Sequence, residues 1–222
     1  MKTFHVKAVA LLIALLGGGD ATADDDFWFG LKAGTLGLGA EASWRPLPWL
    51  DLRAGGNTFD YDDNGGQAGI SYDGTLALES FYATANFHFP VSPFRITAGG
   101  FANGNEIRLV SQPSATFDIG GNSYTAADVG TLRSTASFDS FAPYVGAGFD
   151  FDIIGKFGLA LDFGVLWQGE PSVSMTSDGL LAQAGDAGFL AALDAERLEL
   201  EDEFKNLKAY PVISVGFNFN FL

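Results

Sequence analysis

Cysteine is absent from the 222 residues, and methionine and histidine occur twice each. Without cysteine there is no disulfide framework and no thiolate metal site. Basic residues are scarce: 12 Lys and Arg stand against 27 Asp and Glu, a formal net charge of −15. That balance argues against nucleic acid as a partner, because phosphates need Lys and Arg to displace their counterions. It favours cations, which a negative surface concentrates. Long apolar runs are also lacking. The longest, "AVALLIALL" at 8–16, has nine residues, too few for a spanning helix. It follows Lys2 and Lys7 and precedes the small residues "ATA", the pattern of a secretory leader over 1–23 with cleavage after Ala23. Residues 24–222 are then an exported domain with ten basic and 26 acidic residues.

Glycine and phenylalanine are plentiful, 29 and 21 copies. Their arrangement has a period of two, as strands require. In "FWFGLKAG" Phe27, Phe29, Leu31 and Ala33 share one face. In "TLGLGAEASW" Leu36, Leu38, Ala40, Ala42 and Trp44 do, and the apolar phase flips between them, which marks a turn near Gly34-Thr35. Further strands are expected near 50–59, 78–89, 94–103, 138–151, 157–167 and 210–221. Their apolar faces include Phe141, Val145 and Phe149; Leu159, Leu161 and Phe163; and Ile213, Val215, Phe217 and Phe219.

A soluble sandwich has the same period. The segments, however, are about ten residues long, the length of a tilted membrane-crossing strand. Joining stretches alternate short ("RPLPW", "PVSP", "IIGK") and long (60–74, 104–136, 168–208). The faces opposite the phenylalanines are small and polar, where a sandwich core is Leu and Val. These features predict an all-β fold: an eight-stranded antiparallel transmembrane barrel of the outer-membrane type. Its apolar side faces lipid and lipopolysaccharide, and its outer loops are long. An even count places both termini in the periplasm. The end "SVGFNFNFL", with alternating Phe, resembles the signal read by the barrel-assembly machinery.

Several stretches in order, "AGTLGLGAEASW", "FDIGGNSYTAADVG", "FAPYVGAGFDF", "GLALDFGVLWQGEPSVSM" and "AYPVISVGFNF", resemble the CarO-type family of outer-membrane proteins, associated with ornithine uptake and carbapenem resistance. The resemblance spans nearly all of 24–222. It implies an eight-stranded barrel with sizeable outer loops, and passive uptake of small, often basic, amino acids.

On the expected inner face sit Lys32, Glu41, Asp51, Arg53, Glu79, Arg95, Asp150 and Asp162, the candidates for lumen selectivity. Two readings stay open. The charges line a passage for small zwitterionic or basic solutes, which the many inward glycines favour. Alternatively they pair and plug an interior barely wide enough for its own side chains, leaving a closed barrel that serves envelope integrity or adhesion. The last outer loop predicts a helix capped by Asp186, with Leu190, Leu193, Leu200, Phe204 and Leu207 on one side. Asp194, Glu196, Glu199, Glu201, Asp202 and Glu203 form its acidic side.

The stretch "FDYDDNGG" at 59–66 mimics the start of a calcium loop. The twelfth position is Ser71 rather than Glu, and strands flank it, so it is no EF-hand. Asp60, Asp62, Asp63 and Asn64 are candidates for loose cation gathering in what otherwise reads as a plain outer loop. Enzyme signatures are missing. A lipid-modifying barrel enzyme needs a base beside a nucleophile at the outer rim, whereas His88, by the "FPVSP" turn at the periplasmic edge, is expected to contact headgroups or the turn. No P-loop, zinc spacing or dinucleotide fingerprint points to a cofactor.

Overall fold

The computed structural model describes residues 26–67, 70–154 and 156–220; the leader expected at 1–23 lies outside them. Eight strands close on themselves: β1 (Asp26–Gly34), β2 (Gly37–Leu47), β3 (Leu50–Gln67), β4 (Ile70–His88), β5 (Phe94–Asn103), β10 (Phe141–Ile154), β11 (Phe157–Trp167) and β13 (Ala209–Asn220). Every neighbouring pair is antiparallel, and β13 returns to β1 with Phe29 opposite Phe219 and Ala33 opposite Val215. Closure leaves no unpaired edge in the wall, the condition for backbone to cross hydrocarbon. The turn between β1 and β2 lies at 35–36, where the apolar phase flips. A positive φ of 93° at Gly37 suits a residue without a side chain there.

The alternation sorts the side chains. Leu31, Leu38, Ile96, Phe163, Val215 and Phe217 point outward and are exposed. At one end the outward rings form a belt: Trp49, Phe87, Phe89, Phe94, Phe149 and Phe151 contact one another in sequence, with centroids 5.3–6.3 Å apart. Phe27 stacks on Trp44, and Phe157 packs on Phe219, at the same end. Such a girdle beside an apolar band is what a bilayer interface selects. No described helix is long and apolar enough to cross a membrane; a closed wall with an apolar outer face is the other architecture that can.

The long joining stretches carry strands and helices of their own. β3 and β4 run on in unbroken register beyond the barrel, from Leu50 opposite Phe87 to Gln67 opposite Ile70. Onto the protruding part of β4 pair β6 (Glu106–Ser111), then β9 (Leu132–Ser137), then β12 (Ser172–Ser177). A small hairpin, β7 (Thr116–Ile119) with β8 (Asn122–Thr125), and three helices, α1 (Ala126–Val129), α2 (Leu180–Ala184) and α3 (Ala187–Phe204), complete this outer layer. It has a core of its own. Tyr72, Phe117, Ile119, Val129 and Leu132 pack with Phe189, Ala192 and Leu193 of α3, and Ala136 and Val173 pack with Leu200.

Asp186 caps α3, its Oδ1 accepting from the Phe189 N–H at 2.8 Å. The helix is turned differently from the expectation. Leu190 is exposed, while Phe189, Ala192 and Glu196 face inward beside Leu193 and Leu200. Tyr72 and the lumen residue Tyr82 stand on the same register of β4. α3 therefore covers the face of the outer sheet that continues the lumen side of the wall.

Candidate lumen site

Seven of the eight expected lumen charges converge inside the barrel. Lys32 comes from β1, Glu41 from β2, Asp51 and Arg53 from β3, Arg95 from β5, Asp150 from β10 and Asp162 from β11. Glu79 is the exception. It shares the outward register of Phe81 and Phe87, opposite Thr58, and is exposed at the outer rim. The error came from reading the polar residue as inward without following the parity of its own strand.

Two guanidinium groups organise the rest. Arg53 reaches Asp51 at 3.3 Å, Asp150 at 3.0 Å, Glu41 at 3.6 Å and Asp162 at 4.0 Å. Arg95, fully buried, donates from Nε to Asp150 at 2.8 Å and from Nη2 to Asp162. Its Nη1 donates to Thr97 at 2.8 Å and Asn86 at 3.2 Å. Lys32 lies 3.5 Å from Glu41 and 3.9 Å from the centroid of the Tyr82 ring. Tyr82 Oη donates to Glu41 at 2.6 Å, and Ser214 Oγ donates to Asp162 at 3.0 Å. Buried charges persist only when paired and hydrogen-bonded, and this network meets that demand with charges from six strands of the wall, Tyr82 and Asn86 of β4 and Ser214 of β13.

Toward the outer side the network gives way to rings. Tyr82 stacks on Phe101 at 4.9 Å and Phe101 contacts Tyr144 at 5.4 Å. Leu36, Leu166 and Val212 pack against them. The inward glycines seat these large groups. A Cβ on Gly55 would lie 2.5 Å from Tyr82 Oη, one on Gly164 2.5 Å from Tyr144 Oη, and one on Gly148 2.7 Å from the Arg95 guanidinium carbon. Their lack of side chains thus does not leave open space, as the passage reading assumed. The void among Lys32, Glu41, Arg53, Tyr82, Tyr144 and Asp162 is about 20 Å³, enough for one water.

Several members of this network were not expected from the sequence: Asn86, Thr97, Tyr82, Tyr144, Ser214 and His88. Parity contains the signal. On β4, Tyr82, Thr84, Asn86 and His88 alternate with the outward Phe81 and Phe87. His88 was expected at headgroups or in the turn. It lies instead among lumen carboxylates, away from the outer rim where a lipid-modifying barrel needs a base beside a nucleophile.

The four loop cation candidates are not brought together. Asp60, Asp62, Asp63 and Asn64 belong to β3 rather than to a loop, so successive side chains point to opposite faces. Asp62 accepts from Thr75 Oγ1 at 2.6 Å, and Asp63 accepts from the Asn64 N–H at 2.9 Å. Among the described residues no group of three or more His, Cys, Asp or Glu is placed to hold a metal ion.

In the outer layer Glu196 is buried. Its Oε2 accepts from the Gly120 N–H at 3.1 Å, and its Oε1 has no hydrogen-bond partner among the described residues; the same holds for Tyr72 Oη and Ser134 Oγ. Burial pushes the Glu196 carboxyl above its ordinary value, with Glu199 and Glu203 adding to the shift. Burial, reinforced by Glu196, pushes the Tyr72 phenol up to about 12.

No protein-family model and no curated protein matches the chain. Solved structures do. The crystal structure of Acinetobacter baumannii CarO2 is 24% identical, covering 88% of this chain and 98% of that one, with a TM-score of 0.58. That of Acinetobacter baumannii CarO is 22% identical, covering 87% and 97%, with a TM-score of 0.56. Both likenesses run almost end to end and include the outer layer as well as the wall. In fold, the chain is similar to these CarO barrels.

Proposed function

We propose that the chain is a porin-like barrel of the outer membrane, whose lumen passes small zwitterionic or basic solutes and is closed in the state described. One observation carries the reading: the lumen is filled by charges paired across six strands, not by an apolar core. A buried ion-pair network is seldom the most stable filling, since well-packed apolar residues of like volume do as well or better. A polar filling is suited to a path that water and charged solutes use once its members exchange partners. The acidic balance of the chain and the carboxylates of α3 favour cationic solutes near the mouth. Surrounding partners on this reading are lipid, lipopolysaccharide and the barrel-assembly machinery.

A second reading has its own observation. A void of about 20 Å³ admits no amino acid, so a permanently closed barrel serving envelope integrity fits the geometry as it stands. Liposome swelling with ornithine and with glycine separates the two. Swelling above that of protein-free liposomes, and its alteration by Glu41→Gln, supports passage. Swelling equal to protein-free liposomes supports the closed barrel.

A further inference from the structure

Three cations inside the barrel face four carboxylates, and Arg45 of β2, on the same register as Glu41, adds positive charge toward Asp51. Lys32, Arg53 and Arg95 stand against Glu41, Asp51, Asp150 and Asp162. His88 ends β4 on the lumen register, between carboxylates of two other strands. Its Nε2 is 3.6 Å from Asp51 Oδ2 on β3, and its Nδ1 is 3.9 Å from Asp150 Oδ2 on β10. Both ring nitrogens therefore face acceptors, yet a neutral imidazole has a proton on only one of them. His88 Nε2 and Asp150 Oδ1 are both buried without a hydrogen-bond partner among the described residues.

The other charges at this end are accounted for. Arg95 of β5 is in register with His88, and Arg53 of β3 binds the same two carboxylates. Arg45 of β2 acts on Asp51 from the lumen register, and Asp152 of β10 stands exposed two residues beyond Asp150.

We propose that His88 is a proton site that sets the charge of the lumen. A proton taken from solution adds a positive charge between the two carboxylates, so that both nitrogens donate. It ties Asp51 of β3 to Asp150 of β10 across the span of β4 and β5, and makes the lumen one charge more positive. Imidazole is the side chain whose charge changes between pH 5 and 8. Above that window the lumen is one charge more negative and its preference for cations stronger; below it the preference weakens and Asp51 and Asp150 are cross-linked. The effect on ion preference rests on the passage reading above; the protonation and its cross-link do not.

The test uses the exported protein in micelles or nanodiscs. His5 and His88 are the two histidines of the sequence, so without the leader the imidazole signal belongs to His88 alone. Magnetic resonance from pH 8 to 5 is expected to show a one-proton titration of that ring. The Nε–H signals of Arg53 and Arg95 should follow with the same midpoint. His88→Gln abolishes the arginine response, and His88→Lys holds the low-pH pattern at pH 8. A ring that does not titrate in this window, or arginine signals that keep their response in His88→Gln, overturns the proposal. Reversal potentials in planar bilayers supply the second readout: the cation preference falls on acidification in the wild type and is pH-independent in His88→Gln. A wild-type preference that ignores pH overturns the role in selectivity. Absence of any conductance refutes the passage reading and leaves the titration result standing.

Discussion

Replacing Arg53 by Ala is the sharpest perturbation of the lumen. Among the described residues its guanidinium is the one group within 4.0 Å of all four lumen carboxylates, Glu41, Asp51, Asp150 and Asp162. Without it, two cations, Lys32 and Arg95, remain against four acids. Arg95 already binds Asp150 and Asp162, and Lys32 already binds Glu41. Asp51 keeps the Asn86 amide at 3.3 Å, the His88 contact at 3.6 Å and the more distant charge of Arg45. Breaking a buried pair from one side costs about 3–5 kcal/mol. For chains of this length that corresponds to a fall of roughly 6–20 °C in melting temperature. The assay is heat-induced unfolding in detergent, followed by circular dichroism and by the shift in gel mobility of the unfolded barrel. Conductance is recorded on the same preparation, because the deleted side chain also widens the lumen beside a void of about 20 Å³. A variant that melts with the wild type and conducts no differently refutes the reasoning. Arg53 would then contribute neither stability nor occlusion.

Three further outcomes follow. Tyr144→Ala empties the space that the ring fills beside Gly146 and Gly164 and is expected to raise bilayer conductance; an unchanged trace would place the constriction elsewhere. Val215→Arg puts a charge on the lipid-facing side of β13, near its middle, and should cost about 2–4 kcal/mol of barrel stability, read by urea unfolding in lipid; no loss would deny that this face meets acyl chains. Glu196→Gln keeps an acceptor for the Gly120 N–H while removing a buried charge, and should stabilise the outer layer by about 1–3 kcal/mol. The sign in the wild type follows from the raised carboxyl. The folded layer binds this proton more tightly than the unfolded chain. Its stability therefore grows as pH falls through the raised value and levels off below the unfolded value near ~4.3. Hydrogen exchange of α3 as a function of pH measures both effects, and slopes that match in wild type and variant would contradict the assignment.

The wall of the barrel was legible because lipid imposes a strict rule. Phe163, Val215 and Phe217 must be apolar, and their alternation with Gly, Asp and Ser marks both faces at once. The lumen charges followed from the same alternation wherever parity was carried through, and failed at Glu79 where it was not. The outer layer was read as loops because its strands are short and weakly patterned. "EIRLVS" and "SVSMTS" become strands by pairing on the protruding half of β4, a tertiary cause that local sequence does not carry. The stretch "FDYDDNGG" misled for a related reason. Asp, Asn and Gly are poor strand formers, yet an uninterrupted register with β4 holds them extended. Glu196 was assigned to the solvated side of α3 because its neighbours are acidic. The burial of Phe189 and Ala192 rotates the helix and takes Glu196 inward with them.

The most direct test of a lumen sealed by its own ion pairs is single-channel recording of the purified barrel at neutral pH beside Tyr144→Ala. The account predicts a wild type that is closed for most of the record, with brief openings, and a variant with a steady step of current. A wild type that conducts steadily, as a permanently water-filled pore does, would contradict it.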